Sequence, residues 1–213
     1  MKQTDTFRKI SYRKANKILA PISESRVFDR EDAALSFYYH DGSLEIDGDL
    51  SFDCHDIVIV AGDLTVNGIV QDRYLESEEF SRVCLSDYSM LYVFGKMKCR
   101  HLVSGSFMYV GGDLSVDGTV YVNSHGIDVL HVNGTLTADI FIDEGHLVDC
   151  GTLRARRIYV TEINREEYSG LEQVTVLTSD LFSDPSVFVN GRMVPEAVIR
   201  KLFDGGRIFT GEG

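Results

Sequence analysis

Val110-Gly111-Gly112-Asp113-Leu114-Ser115-Val116-Asp117-Gly118 is the stretch that decides the fold, because Val60-Ala61-Gly62-Asp63-Leu64-Thr65-Val66-Asn67-Gly68 nearly duplicates it. The shared phrase is an aliphatic residue, a spacer, glycine, a spacer, Leu or Met, a spacer, and a small or apolar residue. It recurs as Ile46-x-Gly48-x-Leu50-x-Phe52, Val93-x-Gly95-x-Met97-x-Cys99 and Val132-x-Gly134-x-Leu136-x-Ala138. Gly151-x-Leu153-x-Ala155 and Val189-x-Gly191-x-Met193 read as degraded copies. Alternation with a period of two is strand patterning with one buried face. A strand glycine at a fixed place marks a bend or a close backbone approach, and Asn67-Gly68 and Asp117-Gly118 are turn signals.

A bend and a turn that return in the same order describe a coil, not a meander. The intervals 95 to 112, 112 to 134 and 134 to 151 each suit one turn of a parallel β-helix. The interval 62 to 95 fits one turn plus an insertion. The interval 151 to 191 fits two turns, with Ile158-Tyr159-Val160 and Val174-Thr175-Val176 supplying the unmarked one. The expected fold is all-β: a right-handed parallel β-helix (β-solenoid) with short helical caps at both ends. Leu50, Leu64, Met97, Leu114, Leu136 and Leu153 are expected to stack as one inward ladder. Phe52, Val66, Cys99, Val116, Ala138 and Ala155 are expected to form its neighbour. Two alternatives fit less well. Asn-Gly closes hairpins in antiparallel sandwiches. A left-handed hexapeptide helix, with its acyltransferase associations, matches Val110, Val116 and Val122 but not the other turns.

The expected organisation is 1–42 as an N-terminal helical cap and lead-in strand, 43–194 as the solenoid with an insertion at 71–90, and 195–213 as a C-terminal helical cap. Residues 5–19 read as a helix with Phe7, Ile10, Ile18 and Leu19 on a loose apolar face, stopped by Pro21. A second short helix is expected over 29–36, with Asp29 as N-cap. Pro195 opens a third, closed by Gly205-Gly206. The basic first helix could also meet an anionic membrane surface, but its apolar face is thin.

Apolar residues at 44% and charged residues at 25% are an ordinary globular balance, which excludes disorder through most of the chain. No apolar run approaches the roughly 20 residues of a membrane span, and the N-terminus lacks the apolar stretch of a secretory signal. The expected location is cytoplasmic. Cys54, Cys84, Cys99 and Cys150 form no CxxC pair and read as reduced thiols. The net charge is −12, yet Lys2, Arg8, Lys9, Arg13, Lys14 and Lys17 face one acid, Asp5, in the first 17 residues. The acidic body repels nucleic acid and suits a basic protein partner.

None of His40, His55, His101, His125, His131 and His146 falls in a short metal motif. The aspartates beside glycine lack the spacing of calcium-binding nonapeptide repeats. No nucleophile elbow, P-loop or dinucleotide fingerprint occurs. The chain is therefore expected to be non-enzymatic, with no catalytic, cofactor-binding or metal-ligating residue assigned. The insertion supplies the expected partner-binding residues: Tyr74, Glu76, Glu78, Glu79, Phe80, Asp87 and Tyr88, aromatic anchors among acids.

Over residues 43–160 the V-x-G-x-L-x-V phrase resembles the repeats of bactofilins, polymer-forming bacterial cytoskeletal proteins. The resemblance implies a right-handed β-helix with a structural role. Irregular turn length, the acidic insertion and the capped ends depart from it, and polymerisation by end stacking needs open ends. The favoured expectation is a non-enzymatic acidic solenoid, monomeric or a small oligomer, that binds a basic protein, concretely a bacterial immunity protein neutralising a toxin. The alternatives are a bactofilin-like structural polymer and, third, a carbohydrate-active β-helix enzyme with carboxylates aligned across turns.

Overall fold

Apolar side chains at every second position, with glycine where the chain turns, fold into parallel three-sided rungs stacked into a solenoid of about six turns. The structure, a computed structural model, describes residues 6–22, 27–29, 34–52, 55–72, 89–123, 129–171 and 173–210. β1 (Arg8–Ile10) and α1 (Tyr12–Leu19) precede the stack. The rungs are built by β2 (Ser36–His40), β3 (Leu44–Ile46), β4 (Leu50–Ser51), β5 (Asp56–Val60), β6 (Leu64–Gln71), β7 (Met90–Val93) and β8 (Met97–Ser104). They continue through β9 (Phe107–Val110), β10 (Leu114–Val122), β11 (Val129–Asp143), β12 (Leu147–Val160) and β13 (Val174–Val176). β14 (Phe188–Val189), β15 (Arg192–Met193) and α2 (Pro195–Phe203) follow.

The first face stacks β2, β5, β7, β9, 129–132 of β11 and 147–150 of β12, all parallel. The second stacks β3 with 64–66, 97–99, 114–116, 135–138 and 152–155. The third stacks β4 with 70–71, 102–104, 120–122, 141–143 and 158–160, and ends on β13. Register partners on successive rungs of the second face run Leu44, Leu64, Met97, Leu114 and Leu136, so the rungs are of unequal length. The corner from the third face to the first absorbs most of this irregularity. Val60 to Val66, Val93 to Cys99 and Val110 to Val116 are equal steps around the first corner. The insertion leaves after Asp72 and returns at Ser89, whose Oγ donates to the Asp72 carbonyl at 3.2 Å.

On the second face the inward ladders are Leu44, Leu64, Met97, Leu114, Leu136, Leu153 and, beside it, Ile46, Val66, Cys99, Val116, Ala138, Ala155. The expected ladders hold from the second rung onward but not in the first, where Leu50 and Phe52 give way to Leu44 and Ile46. Gly48 adopts φ 100°, in the left-handed region that glycine favours, and turns the second corner early. Leu50 then pairs with Val70 on the third face. The glycine that opens the first-corner column is therefore Gly42. A Cβ on Gly62 would lie 2.6 Å from both the Gly42 carbonyl carbon and the Ser43 nitrogen, so backbone packs where a side chain would stand. Asn67-Gly68 and Asp117-Gly118 are bulges inside β6 and β10, at register shifts between parallel strands. Val189-x-Gly191-x-Met193 is no rung at all. Asn190 (φ 54°) and Gly191 (φ 81°) close the antiparallel β14–β15 hairpin, the geometry of a two-residue turn.

At the corners, backbone N–H groups point along the stack and are met by side chains of the rung before. Asp49 Oδ1 accepts from Ile69 N at 2.7 Å, Asp63 Oδ1 from Lys96 N at 2.7 Å, and Asp113 Oδ1 from Thr135 N at 3.1 Å. These bonds explain the aspartates that recur beside glycine. His101 takes the same part, its Nδ1 accepting from Thr119 N at 3.0 Å, which requires the neutral ring. Burial, then the charge of Arg100, holds its pKa below the ordinary value. A depressed histidine pKa contributes stability that is present above about pH 6.5, the unfolded value, and lost as pH falls through the folded value. His101→Asn, which keeps an acceptor but does not titrate, should flatten the loss of stability seen between about pH 7 and pH 5 in urea titrations. Equal slopes in the two proteins would contradict this role.

The helices lie along flanks, not over the ends. Residues 5–19 do not form one helix: Arg8–Ile10 pairs antiparallel with β2, and Ser11 caps α1 by accepting from Lys14 N. Ala15 and Leu19 of α1 share an apolar cluster with Phe37, Tyr39, Ile57, Ile59 and Tyr92, the outward side chains of the first face. Of the helix expected over 29–36, residues 30–33 lie outside the described residues and Ser36 already belongs to β2. Helix α2 forms as expected from Pro195, but Val198, Ile199 and Leu202 cluster with Ile69, Val103, Tyr121, Ile142 and Tyr159, the outward side of the third face. Phe209 stacks on Tyr159 at 3.9 Å, and Met193 N donates to Glu144 Oε1 at 2.8 Å. The amphipathic faces had to be buried somewhere; apolar flanks spanning several rungs offer more area than one end.

Candidate functional site

The seven residues expected to bind a partner, Tyr74, Glu76, Glu78, Glu79, Phe80, Asp87 and Tyr88, lie outside the described residues. Asp72, at the root of that insertion, is buried, and its carboxylate accepts from Ser104 Oγ at 2.7 Å, Gly105 N at 2.9 Å and Ser106 N at 3.0 Å. It is a structural acid that closes a corner.

Among the described residues, two surfaces stand out beside the flanks that the helices cover. One is the second face. Its outward row is Glu45, Thr65, Lys98, Ser115, Thr137 and Arg154, in register rung by rung. The row beside it carries Asp47, Asn67, Arg100, Asp117, Asp139 and Arg156. Adjacent rungs exchange polar contacts here: Asn67 Nδ2 to Asp47 Oδ1 at 2.9 Å, Lys98 to Asp117 at 3.5 Å, and Arg156 Nη2 to Asp139 Oδ2 at 2.9 Å. A shallow groove between Thr65, Asn67, Lys98, Arg100 and Asp117 marks the middle of the face.

The other surface is the C-terminal end. Residues 158–160 of β12 pair with β13, but among the described residues no strand pairs with 147–155 on the side away from β11. The inward residues Val148, Cys150, Leu153 and Ala155 are only partly buried, whereas Leu130, Val132 and Leu136 one rung below are sealed. What closes the middle of this end is Tyr168, which joins the inner core, packs on Phe141 at 5.9 Å and donates to Asp143 Oδ2 at 2.7 Å. Asp143 is fully buried and also accepts from Gly145 N and His146 N. Burial pushes its pKa up despite those donors. At the opposite end Phe7 enters the inner core, and Leu44, Ile46, Leu50 and Phe52 of the first rung are buried. The ends differ in their cores: these inward residues of the first rung are buried, with Phe7 among them, whereas Val148, Cys150, Leu153 and Ala155 of the last are only partly buried. Among the described residues β1 pairs with β2 alone, and β3 and β4 pair only with β6. Both were expected to be capped by helices. The open edge was invisible beforehand because only the register shows where pairing stops.

Cys99 is a buried free thiol whose pKa burial raises; Cys150 is half-buried and free, and Cys54 and Cys84 lie outside the described residues. His146 is buried, and His125 lies outside the described residues. Among the described residues no group of three or more His, Cys, Asp or Glu side chains could hold a metal ion, and no helix is long and apolar enough to cross a membrane. The apolar side of α1, the alternative contact for a lipid surface, is spent on the first face. No protein-family model, curated protein or solved structure matches the chain.

Proposed function

We propose that this chain is a non-enzymatic acidic β-solenoid that binds another protein, with the half-open C-terminal rung as the contact. One observation carries the reading: β12 ends the stack with an edge over 147–155 on which no strand pairs among the described residues, above a partly covered apolar ladder. Such an edge binds an extended segment through main-chain hydrogen bonds and selects it through alternate side chains. The charge of −12 favours a basic partner. A bacterial toxin neutralised by an immunity protein is the concrete form.

The product of a neighbouring gene is the partner to test, by calorimetry with the purified full chain. Saturable binding is expected. Leu147→Lys and Thr152→Lys, at exposed edge positions, should leave the melting temperature unchanged and weaken binding at least about tenfold, because an edge lysine opposes strand addition. Affinity that ignores both substitutions would move the contact elsewhere. Turnover of a glycan panel by the intact chain would replace binding with catalysis.

The same edge also favours a second reading, the bactofilin-like structural polymer, since a stack that stops on an unpaired strand can be extended. The first rung opposes it on one face, because a head-to-tail joint would meet β1 over β2 and Phe7 in the core. Long filaments of the intact chain in electron micrographs would promote this reading over the first.

A further inference from the structure

The uncovered second face has a charge pattern that is complementary to itself when reversed. Its acids are Glu45, Asp47, Asp63, Asp113, Asp117 and Asp139, and its bases are Lys96, Lys98, Arg100, Arg154 and Arg156, so the face is close to neutral on a chain of net charge −12. The signs are also ordered. The first rung carries Glu45 and Asp47; the last carries Arg154 and Arg156 in the same two rows. We propose that this face is a two-fold interface between two copies of the chain, packed face to face with their solenoid axes antiparallel.

A two-fold axis lying in the plane of the face and perpendicular to the stack keeps each row opposite itself and reverses the order of rungs. Glu45 then meets Arg154 of the second copy, and Asp47 meets Arg156. One rung further in, Thr65 meets Thr137 and Asn67 meets Asp139. At the centre, Arg100 meets Asp117 and Lys98 meets Ser115. On the corner row, Lys96 meets Asp113 and Asp63 meets Thr135. Every ionic pairing is between opposite signs. The parallel arrangement fails the same test, because Glu45, Lys98 and Arg154 would each face their own copies. Like charges set opposite one another reject an orientation as firmly as opposite charges select one.

The outer rows of the face are largely exposed. Six rungs at about 4.8 Å span roughly 25 Å, and three rows of side chains give a footprint well below the roughly 800 Å² per partner of a standard interface. The dimer is therefore weak, electrostatic and lost at high salt. It leaves the C-terminal edge free, so it stands or falls independently of the partner-binding reading.

Sedimentation equilibrium of the full chain at about 200 µM tests it, in about 20 mM and about 500 mM salt. A dimer at low salt and a monomer at high salt are expected. Glu45→Lys alone and Arg154→Glu alone should each raise the dimer dissociation constant about tenfold or more, with unchanged melting temperatures. Each homodimer then sets like charges together twice. An equimolar mixture of the two variants should recover dimer mass. In the mixed dimer the new lysine of one chain meets the new glutamate of the other, while native Glu45 and Arg154 meet across the second contact. A wild-type chain that stays monomeric at low salt overturns the proposal, as does a dimer indifferent to either reversal or a mixture that remains monomeric. Filaments in place of dimers would overturn it and favour the polymer.

Discussion

Val116→Asp should unfold the protein or lower its melting temperature by many degrees. Val116 sits inside the solenoid at 3% exposure, with Cys99 on the rung before it and Ala138 on the rung after. All of its neighbours along the ladder are apolar, so a carboxylate there is buried without a donor. The cost is several kcal/mol, on the order of 3 or more, against a total stability of about 5–15 kcal/mol for a domain. Ser115→Asp, one position away and outward beside Lys98, should change stability by less than about 0.5 kcal/mol. Urea titrations of the pair measure both. A wild-type midpoint for Val116→Asp would mean that this strand does not face the core.

Tyr168→Ala should have a comparable effect for a different reason. Tyr168 plugs the last rung, and truncating a buried aromatic costs about 3–5 kcal/mol. It also removes the hydroxyl that donates to Asp143 Oδ2, leaving a buried carboxylate short of one partner. Tyr168→Phe separates the two contributions and should cost about 1–3 kcal/mol for the lost bond. The sign of the pH dependence follows from Asp143. Its folded pKa is raised, so its favourable contribution is present below the unfolded value of about 3.9 and is lost as pH rises through the folded value. The hydroxyl matters most when the carboxylate is charged. The stability gap between wild type and Tyr168→Phe should therefore narrow as pH is lowered into that window. A constant gap would show that the bond contributes nothing specific to the ionised form.

The repeat phrase was enough to favour a parallel solenoid, because period-two alternation and a glycine at each bend, returning in the same order, suit a coil better than a sandwich. It failed where one letter had two physical meanings. Gly62 avoids a backbone contact; Gly48 takes a left-handed φ. Asn67-Gly68 is a bulge between parallel strands, and Asn190-Gly191 closes a hairpin. The flanks were legible in principle. Asp56–Val60, Met90–Val93 and Phe107–Val110 are apolar on both sides of the strand, the mark of a sheet covered on both faces. Leu64-Thr65-Val66 and Leu114-Ser115-Val116 alternate, the mark of an open face. Reading that contrast would have sent the helices to the flanks. The open edge and the reversed charge rows were not legible, since both depend on knowing which rung lies beside which.

The functional reading rests on the C-terminal end being open, and amide hydrogen exchange measured residue by residue tests that most directly. Along 135–138 of β11, which has a strand on either side, protection should be high throughout. Along 151–155 of β12, amides that point toward β11 should be protected, and those that point away should exchange at rates close to those of exposed chain. That alternation is the predicted result. Uniform protection across 151–155, equal to that of β11, would mean that the edge is already covered within the folded chain, and would contradict the account.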